Sequence, residues 1–166
     1  GALPQERFAA SICNWYKKRY GLTVDPETIR HSQGLMTGAL WMILNAYTRP
    51  GDKVLIQAPV YHTFSIVIKG AGRFVESNDL VLEDGRYEMN FEDLEKKVAD
   101  PRVRIMLICN PHNPVGRVWT KEELIKVAEI CKKNNTILVG DEIHGDIVYG
   151  EHKHTPLFSL SDDLTD

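Results

Sequence analysis

The sequence predicts an α/β fold, a three-layer α/β/α arrangement built on a mostly parallel sheet. Short apolar runs, "KVLIQA", "RFVES", "VRIMLIC" and "TILVG", alternate with segments of helical periodicity. "VRIMLIC" (residues 103–109) is apolar almost throughout, the composition of a parallel strand covered on both faces. Several helices also carry their own boundary signals, which makes the alternation a βαβ series rather than a chance of composition.

The elements follow in order. Phe8, Ile12, Trp15 and Tyr16 predict one apolar face of a first helix, and Gly21 after a basic turn is its C-cap. The linker "LTVDPET" leads to "TIRHS", expected as the first strand, and through "QG" into the helical pattern "LMTGALWMILNAYT". "RPGD" stops that helix. "KVLIQA" is a strand, "TFSIVIKGA" a helix and "RFVES" a strand. Asn90 caps a helix expected from Phe91 to about Val98. Thr120 with Glu123 forms a capping box, and Leu124, Val127, Ala128 and Cys131 give the following helix its buried stripe before "TILVG". No internal repeat or low-complexity tract interrupts the series.

The 166 residues carry 20 Lys and Arg against 23 Asp and Glu, a net charge of -3, with the basic residues dispersed. That balance argues against nucleic acid as a partner. No apolar run approaches the roughly 20 residues of a membrane span, so no membrane partner is expected, and the first ten residues show no targeting pattern. Cys13, Cys109 and Cys131 are odd in number and lack CxxC spacing, which fits a reducing compartment, and a cytoplasmic setting is expected.

Open parallel sheets bind ligands at the carboxyl ends of their strands, so the residues after each strand are the ones to read for chemistry. "QGLMTGAL" passes through Gly34 into a helix whose N-terminus offers N–H groups to an anion, although Gly34 and Gly38 equally suit a tight turn and close packing. There is neither GxGxxG nor GxxxxGK[ST]. Tyr61, after "AP", offers a ring to a planar ligand or simply packs. "NPHNPVG" holds two Asn-Pro pairs at a strand end, more than ordinary turn chemistry requires. Asp141 ends an apolar strand, where a carboxylate needs a cationic partner. Asp141, Glu142, His144, Asp146, His152 and His154 are metal-ligand types, but their spacing matches no metal motif and no metal is expected.

Together and in this order, "NWYKKRYG", "APVYHTF", "MLICNPHNPVGRVWTKEEL", "DEIHGDIVYG" and "HKHTPLFSLS" resemble the fold-type I enzymes that use pyridoxal 5'-phosphate (PLP), the aminotransferase class I/II superfamily. Within it they are most similar to the MalY/PatB group of cystathionine β-lyases. The resemblance implies that Leu35 and Met36 present backbone N–H groups to the cofactor phosphate and that Tyr61 stacks on its ring. Asn113 would donate to the phenolate oxygen, and Asp141 would pair with the ring nitrogen and keep it protonated. Many relatives have a Tyr three residues after that Asp; here it is His144, as in the "DEIH" form of the MalY/PatB group. Glu142 and Asp146 are expected to serve local structure. The resemblance also implies cis peptide bonds at Ala58-Pro59 and Asn113-Pro114.

In relatives the lysine that holds PLP as a Schiff base lies a few tens of residues after the "DEIH" segment. Lys153 falls too early, so that lysine is expected beyond Asp166. Residues 1–166 are accordingly expected to be an incomplete PLP-binding large domain, without the Schiff-base lysine or the C-terminal small domain. No catalytic residue is therefore expected in this chain, which by itself should be inactive and prone to associate. The parent protein is expected to be a PLP-dependent carbon–sulfur β-lyase of amino-acid metabolism, a homodimer acting on cystathionine or a cysteine conjugate. An aminotransferase and a non-catalytic regulatory or binding module are the alternatives.

Overall fold

The computed structural model describes residues 5–160. Asp166, beyond which the Schiff-base lysine is expected, lies outside the described residues. The helices are α1 (Gln5–Tyr20), α2 (Trp41–Tyr47), α3 (Thr63–Gly70), α4 (Phe91–Val98) and α5 (Lys121–Lys133). The strands are β1 (Lys53–Ile56), β2 (Phe74–Ser77), β3 (Val81–Glu83), β4 (Arg86–Glu88), β5 (Val103–Cys109) and β6 (Ile137–Asp141). β2, β1, β5 and β6 form one parallel sheet in that order.

β5 lies inside the sheet, and six of its seven residues are buried. Its side chains alternate between two cores. Met106 and Ile108 join Leu55, Leu94, Val98, Trp119, Leu124 and Val127 under α4 and α5. Ile105, Leu107 and Cys109 join Leu44, Val54, Ile56, Phe64 and Ile68 under α2 and α3. Each fully buried aliphatic residue contributes roughly 1.5–3 kcal/mol, so this double burial is what makes three layers stable. The register sets Cys109 beside Asp141, which ends both strands at the same level.

Local chemistry places the helices as the sequence predicts. The Asn90 side chain accepts from Asp93 N–H, and Thr120 and Glu123 complete a reciprocal capping box. Two buried arginines then tie elements together. Arg73 donates to the Leu44 and Thr48 carbonyls and to Thr48 Oγ1, serving the last turn of α2, where a cation also suits the helix dipole. Arg117 bridges Glu88 of β4 at 2.8 Å and Glu123 of α5 at 2.7 Å, with its guanidinium 4.5 Å from the centre of the Trp119 ring.

Three expectations need correction, and one element was missed. "TIRHS" is not a strand: Pro26–Thr28 is a short 3-10 turn, Ile29 is extended, and no described strand pairs with this segment, so no ladder forms. The helical pattern after Gly34 begins with a wider π turn, Leu35–Leu40, before α2 proper. In α1 Phe8, Ile12 and Tyr16 are half-buried beside the buried Ala9, but Trp15, expected on the same face, is exposed and meets Asp146. The antiparallel hairpin β3–β4 was not anticipated, although Asp84-Gly85, both with positive φ, is a favoured hairpin turn.

Thr120→Ala is expected to lower the unfolding free energy by about 1 kcal/mol through loss of the cap. Arg117→Leu, which strands two carboxylates, should cost about 3 kcal/mol. Urea unfolding of both variants checks the ranking; a loss for Arg117→Leu no larger than for the cap would contradict this account.

Candidate functional site

The carboxyl ends of β5 and β6 are joined by backbone and loop chemistry. Asn110 N–H donates to the Asp141 carbonyl at 2.9 Å, and the loop beyond folds back through His112 N–H to Arg117 O at 2.7 Å and Gly116 N–H to His112 O at 2.8 Å. The Asn110 side chain accepts from Trp119 N–H at 3.1 Å and faces His154 Nδ1 at 3.3 Å. His112, also buried, lies 3.2 Å through Nε2 from the Gln57 carbonyl. A carbonyl only accepts, so Nε2 carries the proton. Burial lowers the pKa of His112 to about 4, leaving the ring neutral near pH 7. Ala58-Pro59 and Asn113-Pro114 are cis as the sequence implied, and Asn110-Pro111 is cis as well.

A cavity of about 360 Å³ opens at these strand ends, and Leu35, Met36, Tyr61, Asn113, Asp141 and His144 all line it. Cys109 and Ile143 complete the lining and were not singled out from sequence. The period-2 alternation of β5, which puts Ile105, Leu107 and Cys109 on one face, was the available signal for Cys109.

Asp141 is 5% exposed, and the hydrogen bond recorded to its carboxylate comes from Ile143 N–H at 3.2 Å. Burial raises its pKa above the usual carboxylate range; Ile143 N–H and then His144 oppose the shift, while Glu142 adds to it. Among the described residues, no Lys, Arg or His forms an ion pair with it. A carboxylate held this way favours a cationic ligand.

At the other side of the cavity, Gly34 (φ +74°) turns the chain into the Leu35–Leu40 turn without a side-chain cap. Ala39 N–H reaches back five residues to Gly34 O at 3.1 Å, so the N–H groups ahead of it have no intrahelical acceptor. A Cβ on Gly38 would stand 2.4 Å from the Gln33 carbonyl oxygen, so the turn closes this tightly only around glycine. Tyr61 packs edge-on against His62 and Phe64.

The other ionisable residues of the segment face elsewhere. Glu142 accepts from Leu157 N–H at 2.7 Å and faces His154. Asp146 receives Trp15 Nε1 at 3.1 Å, Tyr20 Oη at 3.0 Å and Arg19 Nε at 3.1 Å, fastening α1 to the loop after β6. Lys153 lines a separate cleft of about 850 Å³ with Lys18 and Lys121. Among the described residues, no group of three or more His, Cys, Asp or Glu converges as a metal site, and no helix is long and apolar enough to cross a membrane.

A parallel α/β sheet whose strand ends hold a cavity with a buried carboxylate and free helix N–H groups defines a ligand-binding α/β domain. The chain belongs to the family "Aminotransferase class I and II", whose model matches residues 4–165. It is 45% identical to cystathionine beta-lyase PatB of Bacillus subtilis over 98% of this chain and 42% of that protein. Protein MalY of Escherichia coli is 30% identical over 91% of this chain and 38% of its own length. The crystal structure of cystalysin from Treponema denticola, described as containing a pyridoxal 5'-phosphate cofactor, superposes with a TM-score of 0.94 at 35% identity, covering 98% of this chain and 41% of that one. The chain thus spans about two fifths of the length of these relatives.

The raised pKa of Asp141 has a definite sign. Its ionised form is disfavoured in the folded state, so it costs stability once the pH rises above the ordinary carboxylate value of about 4, and costs nothing below it. Asp141→Asn without ligand is therefore expected to be more stable than the parent at about pH 7 and to lose that advantage below about pH 4. Urea midpoints at both pH values check this, and a less stable variant at neutral pH would overturn it.

Proposed function

We propose that this chain is the front part of the PLP-binding large domain of a carbon–sulfur β-lyase acting on cystathionine or a related cysteine conjugate. The carrying observation is Asp141, buried in the cavity without a cation among the described residues. PLP offers matching groups: a protonatable ring nitrogen, a flat heterocycle, a phenolate oxygen and a phosphate. The donor set therefore fits it, and bound PLP supplies an electron sink for the pair released at Cα of an amino acid.

Each residue then has a task. Asp141 holds the proton on the ring nitrogen, and its burial strengthens that pairing by lowering the local dielectric. Asn113 would donate its amide to the phenolate oxygen, and His144 lines the same cavity. Tyr61 offers its ring for stacking, and the N–H groups of Leu35 and Met36 receive the phosphate. No lysine lines the cavity among the described residues, so we assign the covalent-binding lysine to a part of the protein outside this lining. Similarity to a cystathionine β-lyase favours carbon–sulfur cleavage, whereas the family description favours the second reading, an aminotransferase.

We further propose a cytoplasmic homodimer. Its three cysteines are free thiols, which suits a reducing compartment. β6 pairs on one side only among the described residues, leaving an edge for another segment or chain.

The full-length protein loaded with PLP and given cystathionine is expected to release a thiol, pyruvate and ammonia without any keto-acid acceptor. Transamination would need the acceptor and release no thiol, so thiol titration in its absence separates the two readings. Asp141→Ala should retain PLP while kcat falls by about 100-fold or more. Turnover at the parent rate would remove Asp141 from its assigned role.

A further inference from the structure

The loop that carries Asn113 has an unusual shortage of backbone donors. Pro111 and Pro114 have no N–H, and His112 N–H is spent on Arg117 O. That leaves Asn113 N–H, whose acceptor is the sulfur of Cys109 at 3.4 Å. The same thiol donates to the Pro111 carbonyl at 3.3 Å. Cys109 is 2% exposed, sits in register with Asp141 and lines the cavity with Asp141 and Asn113.

We propose that Cys109 is a positioning residue: its thiol clamps the loop from Pro111 to Asn113 and so aims the Asn113 carboxamide into the cofactor cavity. This rests on the reading of that cavity as the PLP site. Both contacts need a sulfur that keeps its proton, because a thiolate could accept from Asn113 but not donate to Pro111. Burial raises the Cys109 pKa to about 11, against the opposing pull of Asn113 N–H and with a smaller push from Asp141, so the thiol persists near pH 7. An inert packing role would need only volume. The clamp needs a donor and an acceptor on one atom, and serine and threonine share that property.

The test uses the full-length protein and PLP itself. Cys109→Ala is expected to weaken PLP binding about tenfold and to shift the pH midpoint of the bound cofactor's absorbance, since the amide facing the phenolate oxygen is released. Cys109→Ser should recover most of both. The effect should vanish in the Asn113→Ala background, because the thiol acts through that side chain; two losses that simply multiply would overturn the positioning role. If Cys109→Ala does not fold, Cys109→Thr and Cys109→Val, close in shape, carry the comparison, and equal PLP affinity in that pair would refute the proposal. If Asn113→Ala weakens PLP binding while Cys109→Ala leaves affinity and spectrum untouched, only the Cys109 role falls. If Asn113→Ala itself has no effect, the cofactor reading fails and takes this role with it.

Discussion

Burial of Val103–Cys109 on both faces of the sheet constrains everything around it. A strand covered on both sides requires a helix layer above and another below, and its parallel neighbours must run so that their carboxyl ends meet at one edge. That edge holds Cys109 beside Asp141 and starts the loop that presents Asn113. The apolar strand that stabilises the fold thus also decides where a polar cavity can exist.

Polar groups that enter this frame are held by specific partners. Arg73 serves the end of α2, Arg117 joins the hairpin to α5 across Trp119, and Asp146 binds α1 through three donors. For the two buried arginines a charge without such compensation would be costly, so their contacts are as obligatory as the core, whereas Asp146 makes its contacts at the surface. Asp141 stands apart as a buried carboxylate that no cation pairs with among the described residues, and its raised pKa expresses the cost. Local features that oppose stability and line a cavity are where ligand energy is best used, since the ligand restores what folding gave up. The neighbouring proline-rich loop applies the same economy to the backbone, with a thiol taking the place of a missing ladder partner.

What the sequence by itself determined is what short-range chemistry decides. Asn90 and the Thr120–Glu123 box mark helix starts because a side chain three residues away satisfies the orphan N–H groups. The "VRIMLIC" run marks a buried strand, and the motifs at the strand ends marked six residues that share one cavity. Tertiary structure decided the rest. "TIRHS" has the residues of a strand, but a strand exists only when another supplies its hydrogen bonds, and none among the described residues does. Trp15 leaves its helical face for Asp146, a residue 131 positions away. Arg117 and Ile143 have no local signature either, and the alternation of β5 gives Cys109 its face but not its partners: those come from strand register and loop closure, which sequence spacing does not encode.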